Sequence, residues 1–233
     1  MTMAYQTQFV ERLERTPTPT AVSYRFKRPP GLDFTAGQYM VVDLGEERIH
    51  PLSLSDCPEE SRFIEFTKRK TGSPFCQRLE ELTTADTITV KGPSGKFCVE
   101  ESDAPLVLMA GGIGITPLRS ILKSQEKKRT TAGSIILLYG NKHQEDIAFR
   151  EELENLQLAD YRLVHVLDDP AGVENAYQGF IRGEIVAEEV ADPTEALYMI
   201  SGPTGMVEAI KKNLLKINIA EERIRTDIFL GYD

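Results

Sequence analysis

The chain has few of the residues that build metal centres. It contains three cysteines and three histidines, and all six are widely spaced: Cys57, Cys76, Cys98, His50, His143 and His165. An iron–sulfur cluster needs a full set of cysteine thiolates, so the cysteines exclude a cluster built from this sequence, and the scattered histidines argue against a mixed His/Cys site. Isolated cysteines in odd number also predict a reduced, cytoplasmic protein.

Positive charge and long apolar runs are scarce as well. Aspartate and glutamate outnumber lysine and arginine by 36 to 27, and the formal net charge is -9. This balance argues against a general nucleic-acid binder, which needs a basic surface, although local cations can still bind phosphate. No apolar run approaches the ~20 residues of a transmembrane helix, and the N-terminus has no apolar signal core. We therefore predict no nucleic-acid partner and no membrane insertion.

The first hundred residues have the pattern of short strands. Segments 5–16, 21–28, 39–44, 49–55, 62–70 and 87–90 are rich in β-branched, aromatic and alternating residues, and Pro, Gly and Asp separate them. One apolar-periodic segment, 75–82, predicts a single helix. We predict an N-terminal six-stranded antiparallel β-barrel over residues 1–100.

After an acidic, proline-containing connector at 100–105, the pattern changes to alternating strands and helices. Strands are predicted at 106–110, 134–139, 162–167, 196–200 and 224–229, and helices at 117–127, 145–156, 183–190 and 206–217. This alternation predicts an α/β, doubly wound, five-stranded parallel sheet over residues 101–233.

The stretch from Leu106 to Leu118 gives the clearest indication of a ligand. An apolar run ends in Gly111, Gly112 and Gly114, and a helix with Pro117 in its first turn follows. A strand that turns into a helix presents unpaired N–H groups to a phosphate, and glycines allow close approach. A tight turn without a ligand explains the glycines equally well, since their spacing is not that of the common dinucleotide fingerprint.

Two other segments are predicted at the same edge of the sheet. Asn141 and Lys142 follow the second strand, and the corner from Ser201 to Met206 follows the fourth. Ligands of open parallel sheets bind beyond the carboxyl ends of the strands. Two glycine corners at one edge favour a dinucleotide.

The barrel half carries a second candidate site. A proline lies inside a strand in the run from His50 to Ser53, which indicates an edge or a place where pairing is given up. The run from Gly72 to Cys76 opens the lone helix, directly after the basic cluster Lys68 to Lys70. A short charge run is usually a solvated strand end, but its position beside a helix start favours a pyrophosphate.

In this order the motifs resemble those of the ferredoxin–NADP reductase superfamily over nearly the whole chain. The likeness is greatest to single-chain FAD and NAD(P) modules without an iron–sulfur domain, such as cytochrome b5 reductases and oxygenase reductases. The matching segments are 34–39, 50–53, 72–76, 92–97, 111–117 and 201–206.

The resemblance implies that FAD lies on the barrel and NAD(P)H on the second domain, with a hydride passing from nicotinamide to flavin. It implies catalytic roles for Ser53, beside the reactive flavin nitrogen, and for Asp227, at the place of a C-terminal acid. The implied flavin contacts are Arg48, His50, Pro51, Leu52, Ser53, Phe66, Thr67, Lys68, Lys70, Gly72, Ser73, Cys76 and Phe229, although a core position explains Phe229 equally well. The implied nucleotide contacts are Gly111, Gly112, Gly114, Ile115, Thr116, Pro117, Asn141, Lys142, Asp146, Ser201, Gly202, Pro203 and Met206.

Four positions depart from the family pattern. His50 replaces an arginine, Leu52 a tyrosine, Cys76 a serine or threonine, and Ser201 a cysteine. Arg48 lies two residues before His50, so on a strand it shares that face and is expected to compensate for the missing arginine. These changes predict weaker retention of FAD.

The sequence gives weaker evidence on nucleotide preference and on the electron acceptor than on the cofactors. Asp146 favours a ribose hydroxyl and hence NADH, whereas Lys142 suits NADPH, and the balance leans slightly to NADH. The expected acceptor is a separate partner such as a ferredoxin, an oxygenase or a haem protein. A free-flavin reductase and a non-catalytic regulatory nucleotide-binding subunit remain alternatives.

Overall fold

The computed structural model describes residues 2–13, 18–46, 48–100, 104–128 and 133–229. The end of the first predicted strand, residues 14–16, and the middle of the predicted connector, residues 101–103, lie outside these ranges. The first half contains β1 (Ala4–Leu13), β2 (Ala21–Lys27), β3 (Tyr39–Asp43), β4 (Ile49–Ser53), β5 (Phe63–Arg69), α1 (Pro74–Glu80) and β6 (Thr87–Ser94).

These six strands form the predicted antiparallel barrel. Their order in the sheet is β4-β3-β6-β1-β2-β5, and an antiparallel bridge from Leu54 to Phe66 joins its first and last strands. Side chains alternate between the two faces of a strand, so Met40, Phe26 and Phe66 fill the interior. Burying an aromatic or aliphatic side chain of this kind contributes about 1.5–3 kcal/mol, and α1 adds Phe75 from outside.

The second half is a parallel sheet with helices on both faces. Its strands are β7 (Leu106–Gly111), β8 (Ile135–Asn141), β9 (Tyr161–Leu167), β10 (Ala176–Gln178), β11 (Leu197–Pro203) and β12 (Ile224–Phe229), in the order β10-β9-β8-β7-β11-β12. Its helices are α2 (Ile115–Lys128), α3 (Arg150–Glu154), α4 (Gly183–Glu189) and α5 (Thr204–Lys216). The strand order reverses beside β7, so the topological switch point, where such sheets bind ligands, lies at the glycine turn.

Burial along β7 explains its continuous apolar sequence. Leu106 and Leu108 pack into the cluster under α2, whereas Val107 and Met109 pack into the cluster under α4 and α5. A strand covered on both faces has no polar side to alternate with. Among the described residues, no helix has the length and apolar character to cross a membrane.

Two predictions for this sheet were wrong. The sheet has six strands rather than five, because Ala176–Gln178 forms an edge strand paired with β9. The predicted helix 145–156 is broken into a 3-10 turn, Gln144–Asp146, and the short α3. Phe149 separates them with a left-handed backbone at φ 60°, which an uninterrupted helix does not allow.

Candidate active site

The glycine turn packs tightly against the neighbouring strand on its Gly114 side and is open on its Gly112 side. A 3-10 turn of Gly112–Gly114 follows β7, α2 begins at once, and the Tyr139 hydroxyl donates a hydrogen bond to the Gly112 carbonyl at 3.1 Å. A Cβ atom on Gly114 would lie 2.3 Å from the Ser201 carbonyl oxygen, whereas one on Gly112 would meet no atom within 4 Å. The turn therefore leaves its Gly112 side accessible to a ligand.

The second glycine corner packs directly against the first. A Cβ atom on Gly111 would lie 2.3 Å from Met206 Sδ, and one on Gly202 would lie 2.6 Å from Met206 Cε. Met206 belongs to the first turn of α5, and its side-chain end fills the space that the two glycines leave between this helix start and the end of β7. The sheet thus presents two helix N-termini at one place.

A cleft of about 660 Å³ opens in front of these corners, a size typical of small-molecule sites (~300–1,000 Å³). Half-buried Phe229 lines it and is therefore not a core residue. Of the residues predicted to contact the nucleotide, it brings together Gly111, Gly112, Gly114, Asn141, Lys142, Asp146, Gly202, Pro203 and Met206. Ile115, Thr116 and Pro117 are instead buried in the first turn of α2.

Two polar side chains at this site have buried atoms without a hydrogen-bond partner. They are the hydroxyl of Ser201, which is in register with Asp227 on the neighbouring strand, and the side-chain amide of Asn141 in the cleft, which lies beside the Tyr139 hydroxyl but outside hydrogen-bond geometry. Buried polar groups in folded proteins are nearly always hydrogen-bonded. An amide and a hydroxyl left unsatisfied here fit a ligand that carries its own amide and hydroxyl groups, as a pyridine dinucleotide does.

The barrel closes one side of the cleft. Thr20, before β2, donates a hydrogen bond from its hydroxyl to Asp146 Oδ1 at 3.3 Å, and the exposed Arg69 lines the same cleft at the end of β5. Within the described chain, Arg69 and Lys142 form no ion pair, so both cations are available to an anion.

The residues that line the cleft but were not predicted as nucleotide contacts include Asp168, Phe180 and Arg69, which the sequence placed only in a basic cluster next to the lone helix. For Arg69 the overlooked evidence was the alternation of side chains along a strand. Lys68 is buried in the barrel wall, so the side chain of Arg69 points to the opposite face. Phe180 is 79% exposed, which is unusual for a phenylalanine next to a cavity. No local pattern marked Asp168.

A second polar pair joins the barrel to the parallel sheet. The Ser53 hydroxyl at the end of β4 donates a long hydrogen bond of 3.5 Å to Asp227 Oδ2 on β12. Burial raises the pKa of Asp227 to about 6, although the Ser53 hydrogen bond acts in the opposite direction. The two residues that the resemblance implied to be catalytic therefore lie in contact, and one of them titrates close to neutral pH.

A histidine and a lysine lie close together beside β4. The His50 ring packs edge-on against Phe75 with 4.7 Å between ring centroids, and burial together with nearby Lys68 lowers the pKa of His50. The lowered pKa keeps the His50 imidazole neutral near pH 7, so Lys68 supplies the positive charge here and His50 can offer a pyrophosphate only a neutral hydrogen bond. Arg48 does not join this pair, because it lies in the turn before β4 and pairs with Glu46.

Several side chains predicted to contact flavin already pack or form hydrogen bonds within the protein. Leu52 and Phe66 belong to the barrel core, and the Thr67 hydroxyl is hydrogen-bonded to Ser23 and Ser55. Ser73 caps α1 by accepting a hydrogen bond from the Cys76 backbone N–H at 3.3 Å, and the Cys76 side chain is buried. Pro51, Lys70 and Gly72 are exposed beside them.

Sequence comparison relates this chain to proteins that use NADH. Residues 108–212 match the family described as the oxidoreductase NAD-binding domain. NADH-cytochrome b5 reductase 1 of Laccaria bicolor is 30% identical over 215 residues, which are 86% of this chain and 69% of that protein. The Na(+)-translocating NADH-quinone reductase of Pasteurella multocida has a subunit that is 28% identical over 208 residues, 82% of this chain and 51% of its own length. The chain thus spans about half the length of that relative.

Solved structures share the fold over the whole chain. The flavohem-like FAD/NAD-binding domain of nitric oxide dioxygenase from Vibrio cholerae superposes with a TM-score of 0.84 at 21% identity, covering 97% of this chain and 98% of that one. A ferredoxin NADP+ reductase from Neisseria gonorrhoeae, with bound FAD and NADP, gives a TM-score of 0.83 at 19% identity and covers 97% and 98%.

Proposed function

The chain belongs to the ferredoxin–NADP reductase superfamily, and from that membership we propose that it is an NAD(P)H-dependent flavoprotein reductase. The observation that carries the proposal is the juxtaposition of two sites where the barrel meets the sheet. The glycine-lined cleft suits a dinucleotide, and the Ser53–Asp227 pair lies at the same junction, with Asp227 in register with Ser201. The two cofactors meet at this junction.

NAD(P)H occupies the cleft, with its pyrophosphate at the Gly112–Gly114 turn. The start of α2 supplies unpaired N–H groups and a partial positive charge there. Asn141 hydrogen-bonds the nucleotide through its unsatisfied amide, and Arg69 and Lys142 provide the cations. Asp146 receives a ribose hydroxyl, which favours NADH over NADPH.

FAD lies along the barrel face formed by β4 and α1, where the residues present fit it. The exposed side chains of His50 and Lys70 would bind its pyrophosphate, and Ser53 would lie at the reactive ring. When bound, FAD accepts a hydride and returns electrons one or two at a time. The electrons then pass to a separate redox partner such as a ferredoxin, an oxygenase or a haem protein.

The chain itself contributes alignment and a titrating proton. Ser53 and Asp227 belong to different halves, and their 3.5 Å contact brings a hydroxyl and a carboxyl together at the junction of barrel and sheet. When Asp227 is charged, the Ser53 proton points to its carboxylate. When Asp227 is protonated, it donates to Ser53 Oγ instead, and the serine O–H is free to donate a hydrogen bond toward the flavin side. Proximity of the reacting groups and this hydrogen-bond donor are the protein's share of catalysis.

A free-flavin reductase is the second candidate function. Leu52 is buried in the barrel core and the Cys76 thiol is enclosed, so neither side chain is available to hold FAD. Such losses weaken flavin retention without removing the site around Ser53. In this case flavin would bind as a passing substrate.

An anaerobic absorption titration tests the proposal. We expect the purified protein, as isolated or after mixing with FAD, to show flavin bands in the ~370–460 nm region that bleach on adding NADH. One FAD retained per chain after gel filtration supports the reductase with bound cofactor, and flavin lost on the column supports the free-flavin reductase. A protein that takes up neither FAD nor FMN would contradict both and leave a regulatory role.

Replacing Asp146 is expected to widen nucleotide use. Asp146→Asn keeps an oxygen for the Thr20 hydrogen bond but removes the negative charge that repels a 2′-phosphate. We expect kcat/KM for NADPH to rise about tenfold, which corresponds to about 1.4 kcal/mol, and kcat/KM for NADH to change little. Steady-state kinetics with both nucleotides measure this. The control is Asp169→Asn, and an equal gain there would point to general surface charge.

Replacing Arg69 is expected to weaken nucleotide binding from the barrel side. Arg69→Gln removes an exposed cation that lines the cleft, and an exposed ion pair contributes up to about 1 kcal/mol. We expect KM for NADH to rise about fivefold with kcat nearly unchanged. Arg62→Gln, at an exposed arginine paired with Glu60, is the control. An unchanged KM in Arg69→Gln would remove Arg69 from the site.

A further inference from the structure

One face of α2 is bonded to the barrel along its length. Ser120 Oγ donates to the Asp56 carbonyl at 2.7 Å, Lys123 Nζ lies 2.7 Å from Asp56 Oδ1, and Ser124 Oγ donates to Glu59 at 3.0 Å. Residues four apart share a helix face, so this polar stripe follows from the sequence of α2. We call these contacts, together with those of Arg119, the seam.

Arg119 is the buried centre of the seam, with 2% of its surface exposed. Its Nη1 donates to Glu65 Oε1 at 2.7 Å and to the Ser55 carbonyl at 2.6 Å. Its Nε and Nη2 each donate to Glu152 at 2.8 Å, and the guanidinium carbon lies 4.1 Å from the centre of the Phe149 ring. One planar group thus bonds the barrel and α3 at once.

The elements that Arg119 joins are those that carry the two halves of the site. The α2 helix continues directly from the Gly112–Gly114 turn, so Arg119 follows Gly114 by little more than one helical turn. Ser55 follows Ser53 by two residues, and its hydroxyl also donates to Glu65 Oε1 at 3.1 Å. The guanidinium therefore connects the segment that carries Ser53 to the helix that carries the glycine turn.

We propose that Arg119 is a positioning residue for hydride transfer, which fixes the barrel-borne flavin against the nucleotide held at the glycine turn. The inference rests on the proposed function and adds a residue to it. Stability alone does not explain the arrangement, because an apolar side chain often replaces a buried ion pair without loss of stability. The planar fork of arginine instead imposes direction, and Arg25 secures Glu65 from the other side at 2.9 Å.

The test is anaerobic rapid-mixing reduction of the FAD-loaded protein by NADH. Displacing reacting groups by about 1 Å costs on the order of 100-fold in rate, and lysine retains the charge of Arg119 but not the fork. For Arg119→Lys we expect flavin reduction to be about tenfold slower, with the dissociation constant for NADH within about twofold of wild type. The long-wavelength absorption of the stacked nicotinamide–flavin pair should weaken in parallel.

A second readout uses the chain without cofactors. Hydrogen–deuterium exchange in Arg119→Lys should increase in segments 53–60 and 112–118, because the seam no longer holds them together. Arg162→Lys, at a surface pair with Glu189 remote from the cleft, is the control and should match wild type in every measurement. If Arg119→Lys does not fold, Glu152→Gln decides, since it weakens one arm at a half-exposed glutamate. We expect about threefold slower reduction in that variant.

The inference is overturned if the folded variant has a lower Tm but reduces flavin, and absorbs at long wavelength, as wild type does. Arg119 would then serve stability only. Failure of the wild-type protein itself to reduce flavin is a different result, and it would contradict the proposed function rather than the geometry of the seam.

Discussion

Gly114→Ala is expected to lower kcat/KM for NADH by about 100-fold or more. The added Cβ atom would lie 2.3 Å from the carbonyl oxygen of Ser201, 2.6 Å from its carbonyl carbon and 2.7 Å from Gly202 Cα. All three are backbone atoms, so no side chain can turn aside and the two glycine corners must separate. Overpacking of this kind also costs about 1–3 kcal/mol of stability. Stopped-flow reduction and a thermal melt measure the two effects.

The control for this variant is a glycine without neighbours. Gly172 has φ +76° and no atom within 4 Å of a built Cβ, so Gly172→Ala should cost about 1 kcal/mol through backbone strain and leave NADH kinetics unchanged. Wild-type affinity and rate in Gly114→Ala would place the nucleotide away from the glycine turn. Loss of activity in Gly172→Ala as well would attribute the effect to stability.

The architecture was predictable from the sequence where burial imposes a long, regular pattern. The strand that begins at Leu106 is apolar throughout because both of its faces are covered, and the barrel strands alternate around the core. The edge strand Ala176–Gln178 escaped prediction because three residues show no period. The break at Phe149 escaped because the left-handed conformation is imposed by tertiary packing, while the local sequence retains helical spacing.

The candidate site also contains residues that the sequence could predict and residues that it could not. The glycine corners were predictable because backbone geometry requires their residue type, and this requirement is local. Arg69 and Arg119 act across the junction between the two halves of the chain. In the sequence, Arg69 belongs to a basic cluster and Arg119 to the polar face of a helix. Only the fold brings each to its partners, so residues of this kind are found from structure.

The rate of flavin reduction by NADH is expected to rise as the pH falls through about 6. Burial raises the pKa of Asp227 to about 6, so the carboxylate accepts the Ser53 proton above this pH and donates to Ser53 below it. Only the protonated state leaves the serine proton free for the flavin, and a donor of this kind contributes on the order of 100-fold in rate. We therefore expect Ser53→Ala to be about 100-fold slower at pH 5 and to lose the pH step.

Asp227→Asn separates the charge from the hydrogen bond. The asparagine amide donates to Ser53 Oγ at every pH. This variant should therefore reduce flavin at the rate that wild type reaches at pH 5, and the rate should stay constant from pH 5 to 8. Because the folded pKa of Asp227 is raised, wild-type stability falls as the pH rises from about 4 through 6. The same substitution should therefore stabilise the flavin-free chain by about 1–2 kcal/mol at pH 8, with almost no effect at pH 4.

The two readouts identify the titrating group independently of one another. Asp169→Asn removes an exposed acid beyond β9 and should keep both the rate step and the wild-type dependence of stability on pH. If the rate of flavin reduction still changes with pH in Asp227→Asn, another group is responsible for the titration. Ser53 would then donate to the flavin at every pH. A stability gain at pH 8 without any change in the rate profile would mean that Asp227 is buried at the junction of the two halves without acting on the flavin.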